Sequence, residues 1–167
     1  MNGSDSKKYY GKYRGTVSDN RDPLLLGRVQ AKIPDVLGDN ASTWAMPCTP
    51  YAGKGVGLFL IPPVNASVWI EFEQGDIDYP IWTGCFWALG EVPATPAVAE
   101  MKVLKTDLAT ITLNDLQGAG GITIETSIGT GAKVVMNVTG IEITSGSGKI
   151  QLAASGVSIN DGALEVT

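Results

Sequence analysis

Pairs of apolar residues separated by one position recur through the second half of the chain, and they constrain its fold more than any other feature. The pairs run from Ile111/Leu113 to Leu164/Val166, with Gly or small polar residues between them. A pair at i and i+2 places both side chains on one face of a short β-strand, and glycine permits tight corners between strands. A repeat of about eight residues therefore predicts a β-rod of seven stacked strands.

This rod lacks the residues that would give one chain its own core. All four tryptophans lie before residue 100, and no aromatic residue follows it. Two inward side chains per strand bury little apolar area, which is the main force that stabilises a fold. Three chains around one axis would close the core, so we predict a homotrimer. Its predicted core residues are Ile122, Ile124, Val134, Met136, Ile141, Ile143, Ile150, Leu152, Val157, Ile159, Leu164 and Val166.

The rod is expected to be short and blunt. Seven strands about 4.8 Å apart give a length of roughly 34 Å. Its tip-facing end is predicted at Leu164, Glu165, Val166 and Thr167. Open apolar side chains and unpaired backbone groups at such an end require a cover, which predicts a capping partner protein.

The first half of the chain has short strand-like segments punctuated by Gly, Pro, Asn and Asp, and no sustained helical periodicity. In Ser67–Phe72 apolar and other residues alternate, as in a strand with one buried face. Six strands are predicted: Tyr9–Val17, Gly27–Ile33, Thr43–Pro47, Leu58–Ile61, Ser67–Phe72 and Ile81–Trp87. The fold class is therefore all-β. Its predicted parts are a barrel with a short polar N-terminal arm over 1–90, a proline-containing linker over 91–100, and the rod over 101–167.

Composition excludes several kinds of function. The formal net charge is -5, so the overall field does not favour nucleic acid. Histidine is absent, which removes the commonest general base and metal ligand. No signal peptide or membrane-spanning helix is visible, and we expect synthesis in the bacterial cytoplasm. On the same grounds Cys48 and Cys85, both within apolar segments, are expected to be buried free thiols.

Three motifs suggest chemistry but favour a structural interpretation. Gly53–Gly57 has the glycine spacing of a phosphate loop, yet no helix follows it. The carboxylates Glu71, Glu73, Asp76 and Asp78 are crowded, but their placement on a solvated strand face and a turn favours an ordinary surface. No serine has a histidine to activate it. We therefore predict no enzymatic activity, no catalytic or metal site and no cofactor.

A set of short motifs occurs in order between residues 9 and 88: Gly15-Thr16-Val17, Asp22-Pro23, Gly27-Arg28-Val29, Ile33-Pro34, Trp44-Ala45, Gly53–Gly57, Pro62, Val68–Phe72, Gln74-Gly75-Asp76, Pro80-Ile81 and Gly84. Together they resemble the OB-fold domain of phage baseplate assembly protein V. The same domain occurs in the spikes of tailed phages and of type VI secretion systems.

The resemblance implies an OB-fold barrel followed by a trimeric, intertwined β-helix. It also implies a structural spike that docks under a tail hub, is assembled into a virion baseplate or injection-system particle, and pierces the host cell envelope on contraction. A PAAR-like tip protein would cap the C-terminal end. The linker over 91–100 leaves no room for a peptidoglycan-cleaving domain, and the chain has no histidine for an iron-binding His-x-His tip.

Two other classes of function remain open from the residues alone. An OB module with a trimerisation stalk could bind oligonucleotides or glycans through exposed aromatic rings. A small lytic enzyme would need an acid/base pair, and none is recognisable in the sequence. Binding of single-stranded DNA and clearing of a peptidoglycan suspension would distinguish these alternatives from a spike.

Overall fold

The computed structural model describes residues 7–166, the last two by their backbone alone, and contacts divide the chain into two units between Gly90 and Glu91. The predicted N-terminal arm thus lies largely outside the described residues, as does Thr167. Among residues 7–166, no helix is long and apolar enough to cross a membrane. Strands dominate both units, which confirms the predicted all-β class.

The N-terminal unit is a curled five-stranded sheet with a separate hairpin. Its strands are β1 (Tyr13–Asp19), β2 (Gln30–Lys32), β3 (Met46–Pro47), β4 (Ala52–Gly53), β5 (Val56–Gly57), β6 (Ser67–Phe72) and β7 (Pro80–Cys85). The sheet has the order β2-β1-β6-β7-β3, and β4 pairs only with β5. One helical turn, α1 (Pro34–Leu37), follows β2, and a 3-10 turn (Glu73–Gly75) follows β6.

The core of this unit lies against one face of β6. Val68 and Ile70 are fully buried and Phe72 nearly so, whereas Trp69 and Glu71 are half-buried on the other face. The alternation predicted for Ser67–Phe72 is therefore confirmed. Other strands and loops complete the core with Val17, Val29, Ala31, Ile33, Ala45 and Trp82.

Other predicted strands differ from the observed ones. The first begins only at Tyr13, because Gly11, with a φ of +84°, breaks the extended run that starts at Tyr9. The predicted strand Leu58–Ile61 is wrong. The next residues, Pro62 and Pro63, have no N–H for a ladder, and pairing occurs instead in the short hairpin β4/β5 just before it. That hairpin accounts for Gly53–Gly57 as a structural loop.

The expectation of buried thiols is also wrong, since Cys48 and Cys85 are both free and exposed. In the β6/β7 ladder, Ile70 lies opposite Trp82 and Val68 opposite Cys85, so one extra residue is accommodated on β7. Cys85 is the last residue of β7 and lies beyond this bulge, where it stays exposed. Partial desolvation nevertheless raises the pKa of the Cys85 thiol.

The C-terminal unit is one antiparallel sheet in which every strand pairs with the next strand of the same chain. Its strands are β8 (Met101–Lys105), β9 (Ala109–Asn114), β10 (Gly121–Thr126), β11 (Ala132–Asn137), β12 (Gly140–Ser145), β13 (Gly148–Ala153), β14 (Gly156–Ile159) and β15 (Leu164–Val166). They lie in sequence order, so one chain builds the whole sheet as a meander. The observed strands number eight, not seven, and the additional strand β8 carries its apolar pair, Met101 and Val103, on the face opposite to the predicted pairs.

Gly140 shows why the short strands need glycine at their starts. Its φ is +133°, and a Cβ at this position would collide with the carbonyl oxygen of Leu152 on the adjacent strand. Only a residue without a Cβ lets the two backbones approach this closely. Four of the eight strands, β10, β12, β13 and β14, begin at a glycine.

Candidate assembly interface

The strand register places the apolar pairs of the C-terminal unit in two columns on one face of the sheet. Ile143 lies opposite Val134 and Ile150, and Ile141 lies opposite Met136 and Leu152. Directly opposed residues of antiparallel strands share a face. We call this face the apolar face. From β9 to β14 its columns are Ile111, Ile124, Val134, Ile143, Ile150 and Ile159, and Leu113, Ile122, Met136, Ile141, Leu152 and Val157.

Exposure of the apolar face is the reverse of what a folded single chain should show. Seven of its members are between 36% and 47% exposed: Ile111, Leu113, Ile124, Ile141, Ile143, Ile150 and Leu152. Their neighbours on the opposite face, such as Glu142 and Gln151, are less exposed. An extended apolar surface with this degree of exposure is typical of an interface.

All the predicted core residues with described side chains fall on this face. Leu164, opposite Ile159, is 57% exposed. The backbone of Val166 lies opposite Val157. Thr167 and the side chains of Glu165 and Val166 are outside the described residues. That these residues meet at a trimer axis stays a prediction.

The opposite face of the sheet carries ion pairs suited to solvent. Glu125 and Lys133, on neighbouring strands, approach to 3.7 Å. Lys149 Nζ lies 3.1 Å from Glu142 Oε2 and 3.2 Å from Asp161 Oδ1. The hydrogen bonds that the Lys149 ammonium donates to these two carboxylates, Glu142 first, raise the pKa of Lys149. Such pairs keep this face polar, so the sheet has one side for water and one for a partner.

One charged residue interrupts the columns. On β8, Leu104 lies opposite Ile111 and extends the first column, but Lys102 lies opposite Leu113 at the head of the second. The Lys102 ammonium contacts the Asp115 carboxylate. Asp115 is held nearby because its backbone N–H donates to the Glu100 carbonyl at 3.0 Å. The apolar face therefore begins with a charge pair.

A second exposed surface lies on the N-terminal unit, where Asp22 fixes the loop that follows β1. Its carboxylate accepts hydrogen bonds from the backbone N–H groups of Leu24 (3.0 Å), Leu26 (2.8 Å) and Arg28 (3.2 Å), as well as from the Arg28 guanidinium. The loop turns three leucines outward. Leu24, Leu25 and Leu26 are 63%, 88% and 51% exposed. Leu25 has a φ of +57°, which is unfavourable for a branched side chain.

A groove of about 570 Å³ separates this loop from the hairpin β4/β5. None of the described residues that line it is charged. Its main lining residues are Leu25, Leu26, Tyr51, Val56, Phe59 and Trp82. Phe59 is 75% exposed, and Trp82 is anchored by a hydrogen bond from Nε1 to the Gly27 carbonyl at 3.2 Å. We call this surface the apolar groove. The sequence did not predict it, because three consecutive leucines after Asp22-Pro23 do not by themselves show that they are exposed.

The structure also shows the surroundings of the aromatic rings and carboxylates on which ligand binding or catalysis would depend. Arg14 stacks over both Trp69 and Phe86, at 5.1 and 4.9 Å from the ring centroids. Glu71 pairs with Lys12 at 2.8 Å, and Asp76 accepts from the backbone of Asp78. Within residues 7–166, no group of three or more acidic or cysteine side chains is arranged to hold a metal ion.

Comparison with known proteins agrees with both units. Residues 13–87 match the family described as the type VI secretion system/phage-baseplate injector OB domain. Residues 101–165 match the phage baseplate V C-terminal trimerisation domain. The chain belongs to the phage baseplate V family. The predicted OB fold and the resemblance to spike proteins are thereby confirmed, and a C-terminal trimerisation domain supports a homotrimer.

Individual relatives of this baseplate V family chain are spike proteins. Over 73 residues it is 32% identical to the type VI secretion system spike protein VgrG4b of Pseudomonas aeruginosa. Over 71 residues it is 37% identical to the spike protein VgrG5 of the same organism. Each match covers 41% of this chain and 9% of the relative.

Proposed function

We propose that this chain is the central spike of a phage tail baseplate or a related contractile injection system, and that its role is mechanical rather than enzymatic. The observation that carries the proposal is the apolar face of the C-terminal unit. A single chain leaves that face to water, and three copies around an axis would bury it. Burial of a fully exposed Ile or Leu is worth roughly 1.5–3 kcal/mol. Each residue of the apolar face is partly buried already and gains a fraction of that, but the gain is repeated over the columns of all three chains.

The geometry suits a needle that transmits force to the host cell envelope. Consecutive strands are hydrogen-bonded along the whole meander, so an axial load acts on a continuous ladder. By the spacing of about 4.8 Å per strand, eight strands give a rod of about 38 Å. This length favours a short puncturing device that works with a tip protein, rather than one that crosses the whole envelope alone.

The two partners are assigned to opposite units. The tail hub docks on the N-terminal unit at the apolar groove, because this exposed, uncharged surface suits a permanent protein contact. The PAAR-like tip docks at β15, an edge strand of its sheet with an unpaired side. Both assignments rest on groups that a protein partner would cover, namely apolar side chains in the groove and unpaired backbone groups at the edge of β15.

Light scattering of the purified protein is the first experiment. The expected particle has three times the 17.5 kDa mass of one chain and does not dissociate on dilution. A monodisperse monomer would contradict the proposal. Location is tested separately by immunogold electron microscopy of contractile particles, where label should be found at the baseplate centre and not along the tail sheath.

A further inference from the structure

The repeat of the apolar face leaves the alignment of the chains in a trimer weakly defined. If one chain shifts along the axis by two strands, about 9.6 Å, its strands again run in the same direction as those of its neighbours, and its turns lie on the same side. It brings Ile122 and Ile124 to the level of Ile141 and Ile143, so apolar residues still meet apolar residues. If one chain runs in the opposite direction, its apolar columns likewise still pack against the apolar columns of its neighbours.

Contacts between apolar faces alone would correct a slipped or reversed chain only slowly. A slipped chain leaves one hairpin uncovered at each end, which favours full overlap at equilibrium. Yet correction requires separation of two apolar faces, so a misaligned trimer would persist once formed. Repetitive faces in other assemblies obtain their alignment from a polar residue within the contact, at some cost in stability.

Lys102 is the one charged residue in either column from β8 to β14. We propose that the Lys102–Asp115 pair selects the parallel, in-register alignment of three copies of this chain. In that alignment the three charge pairs share one level at the start of the rod. In any slipped alignment at least one Lys102 lies against apolar residues such as Ile122 and Ile124 of a neighbour. The neighbour offers no polar group at that level, and taking the Lys102–Asp115 ion pair out of water costs more than its own attraction returns, so the misaligned encounter separates before it is trapped.

This proposal rests on the trimer of the proposed function, and the two can fail separately. The test uses one spin label per chain at the turn between β12 and β13, introduced as Ser147→Cys. Cys48 and Cys85 are exposed and are first replaced by serine. An in-register trimer has three equivalent labels and thus one narrow distance distribution. A slip of two strands moves one label along the axis by about 9.6 Å and adds a second, longer distance.

Lys102→Leu should form trimers of unchanged or higher thermal stability that show the second distance. Lys102→Arg keeps the charge and should retain the single narrow distance. Asp115→Asn leaves the lysine without its anion, so it should lower the melting temperature and keep the single distance.

Three results would overturn the assignment while leaving the spike intact. A narrow distance in Lys102→Leu together with a lower melting temperature would identify an ordinary stabilising ion pair. A narrow distance with unchanged stability would show that Lys102 has no part in alignment. Failure of Lys102→Leu to form trimers would make the pair a requirement for assembly. If the wild type itself is monomeric, the proposed function fails first.

Discussion

Arg28 donates hydrogen bonds to Asp22 from two nitrogens, with Nη2 at 2.6 Å and Nε at 3.1 Å from Asp22 Oδ1. The carboxylate side chain is only 4% exposed, and the guanidinium 16%. Because the same carboxylate also binds three backbone N–H groups, the ion pair determines the conformation of the leucine loop. Arg28 additionally lies 5.7 Å from the centre of the Trp44 ring.

Asp22→Asn should lower the melting temperature of the N-terminal unit by several degrees, since it leaves Arg28 without a counter-charge. The matched control is Asp19→Asn, whose partner Arg21 is 90% exposed. That control should melt close to the wild type, because an exposed ion pair contributes little. Equal melting temperatures for the two variants would contradict a structural role for the Asp22–Arg28 pair.

The same pair predicts a loss of stability in acid. Hydrogen bonds from Arg28, then from backbone N–H groups, hold the pKa of Asp22 well below its ordinary value. A lowered folded-state pKa gives stability that is complete above the ordinary value, about 3.9, and lost as pH falls toward the lowered one. The difference in melting temperature between wild type and Asp22→Asn should therefore narrow from pH 4 toward pH 2. Scanning calorimetry across that range measures it.

Ile150→Asp should abolish the trimer. It would place a carboxylate on the apolar face of all three chains, at a cost of several kcal/mol each unless the group is neutralised. Thr144→Asp is the control, because Thr144 lies on the polar face opposite Lys133 and Lys149. Light scattering should find a trimer for the control alone. A heat-stable trimer of Ile150→Asp would mean that the apolar face is not the contact.

Gly140→Ala should destabilise the C-terminal unit by about 1–3 kcal/mol per chain, because the Cβ meets the Leu152 carbonyl and φ is positive. Gly148→Ala is the control. Its Cβ would meet only the Ser145 carbonyl, at an ordinary distance of 3.4 Å. Thermal melts followed by circular dichroism should separate the two variants, and equal melts would show that the backbones at Gly140 can move apart.

Phe59→Ser should weaken binding of the hub protein at least tenfold while the trimer keeps its mass, because Phe59 lines the apolar groove on the N-terminal unit. Leu89→Ser removes a fully exposed apolar side chain that does not line the groove. Surface plasmon resonance with immobilised hub protein compares them. Equal affinities would remove the apolar groove as the docking surface.

Deletion of residues 162–167 removes β15 and should abolish co-purification of a co-expressed tip protein. The trimer itself should survive, because β9 to β14 retain their apolar pairs. A truncated spike that still binds the tip would place that contact elsewhere.

The sequence predicted best those elements whose pattern depends on one strand alone. Ser67–Phe72 was found with its bounds, because three alternate apolar residues must face one core. Leu58–Ile61 was mistaken for a strand, since its apolar residues line an exposed groove instead of a ladder. Strand β8 was missed because its apolar pair, Met101 and Val103, lies on the opposite face, and Lys102 takes the place of an apolar residue in the second column. The same lysine forms the charge pair with Asp115 to which we assign a role in chain alignment.

The two candidate surfaces also differ in whether the sequence could predict them. The apolar face follows from a period of two residues, so its members could be named from the sequence. The apolar groove could not, because the exposure of Leu24, Leu25 and Leu26 results from a turn held by Asp22. That turn depends on hydrogen bonds to backbone atoms, which leave no periodic trace in the sequence.

The neighbour-to-neighbour pairing of the C-terminal meander makes its length adjustable by evolution. Duplication of one hairpin, such as β12 with β13, would add two rungs to each chain and lengthen the needle by about 9.6 Å, without altering any existing rung. Loss of a hairpin would shorten it by the same step. The length of the sheet can thus change in discrete increments while the N-terminal unit stays the same.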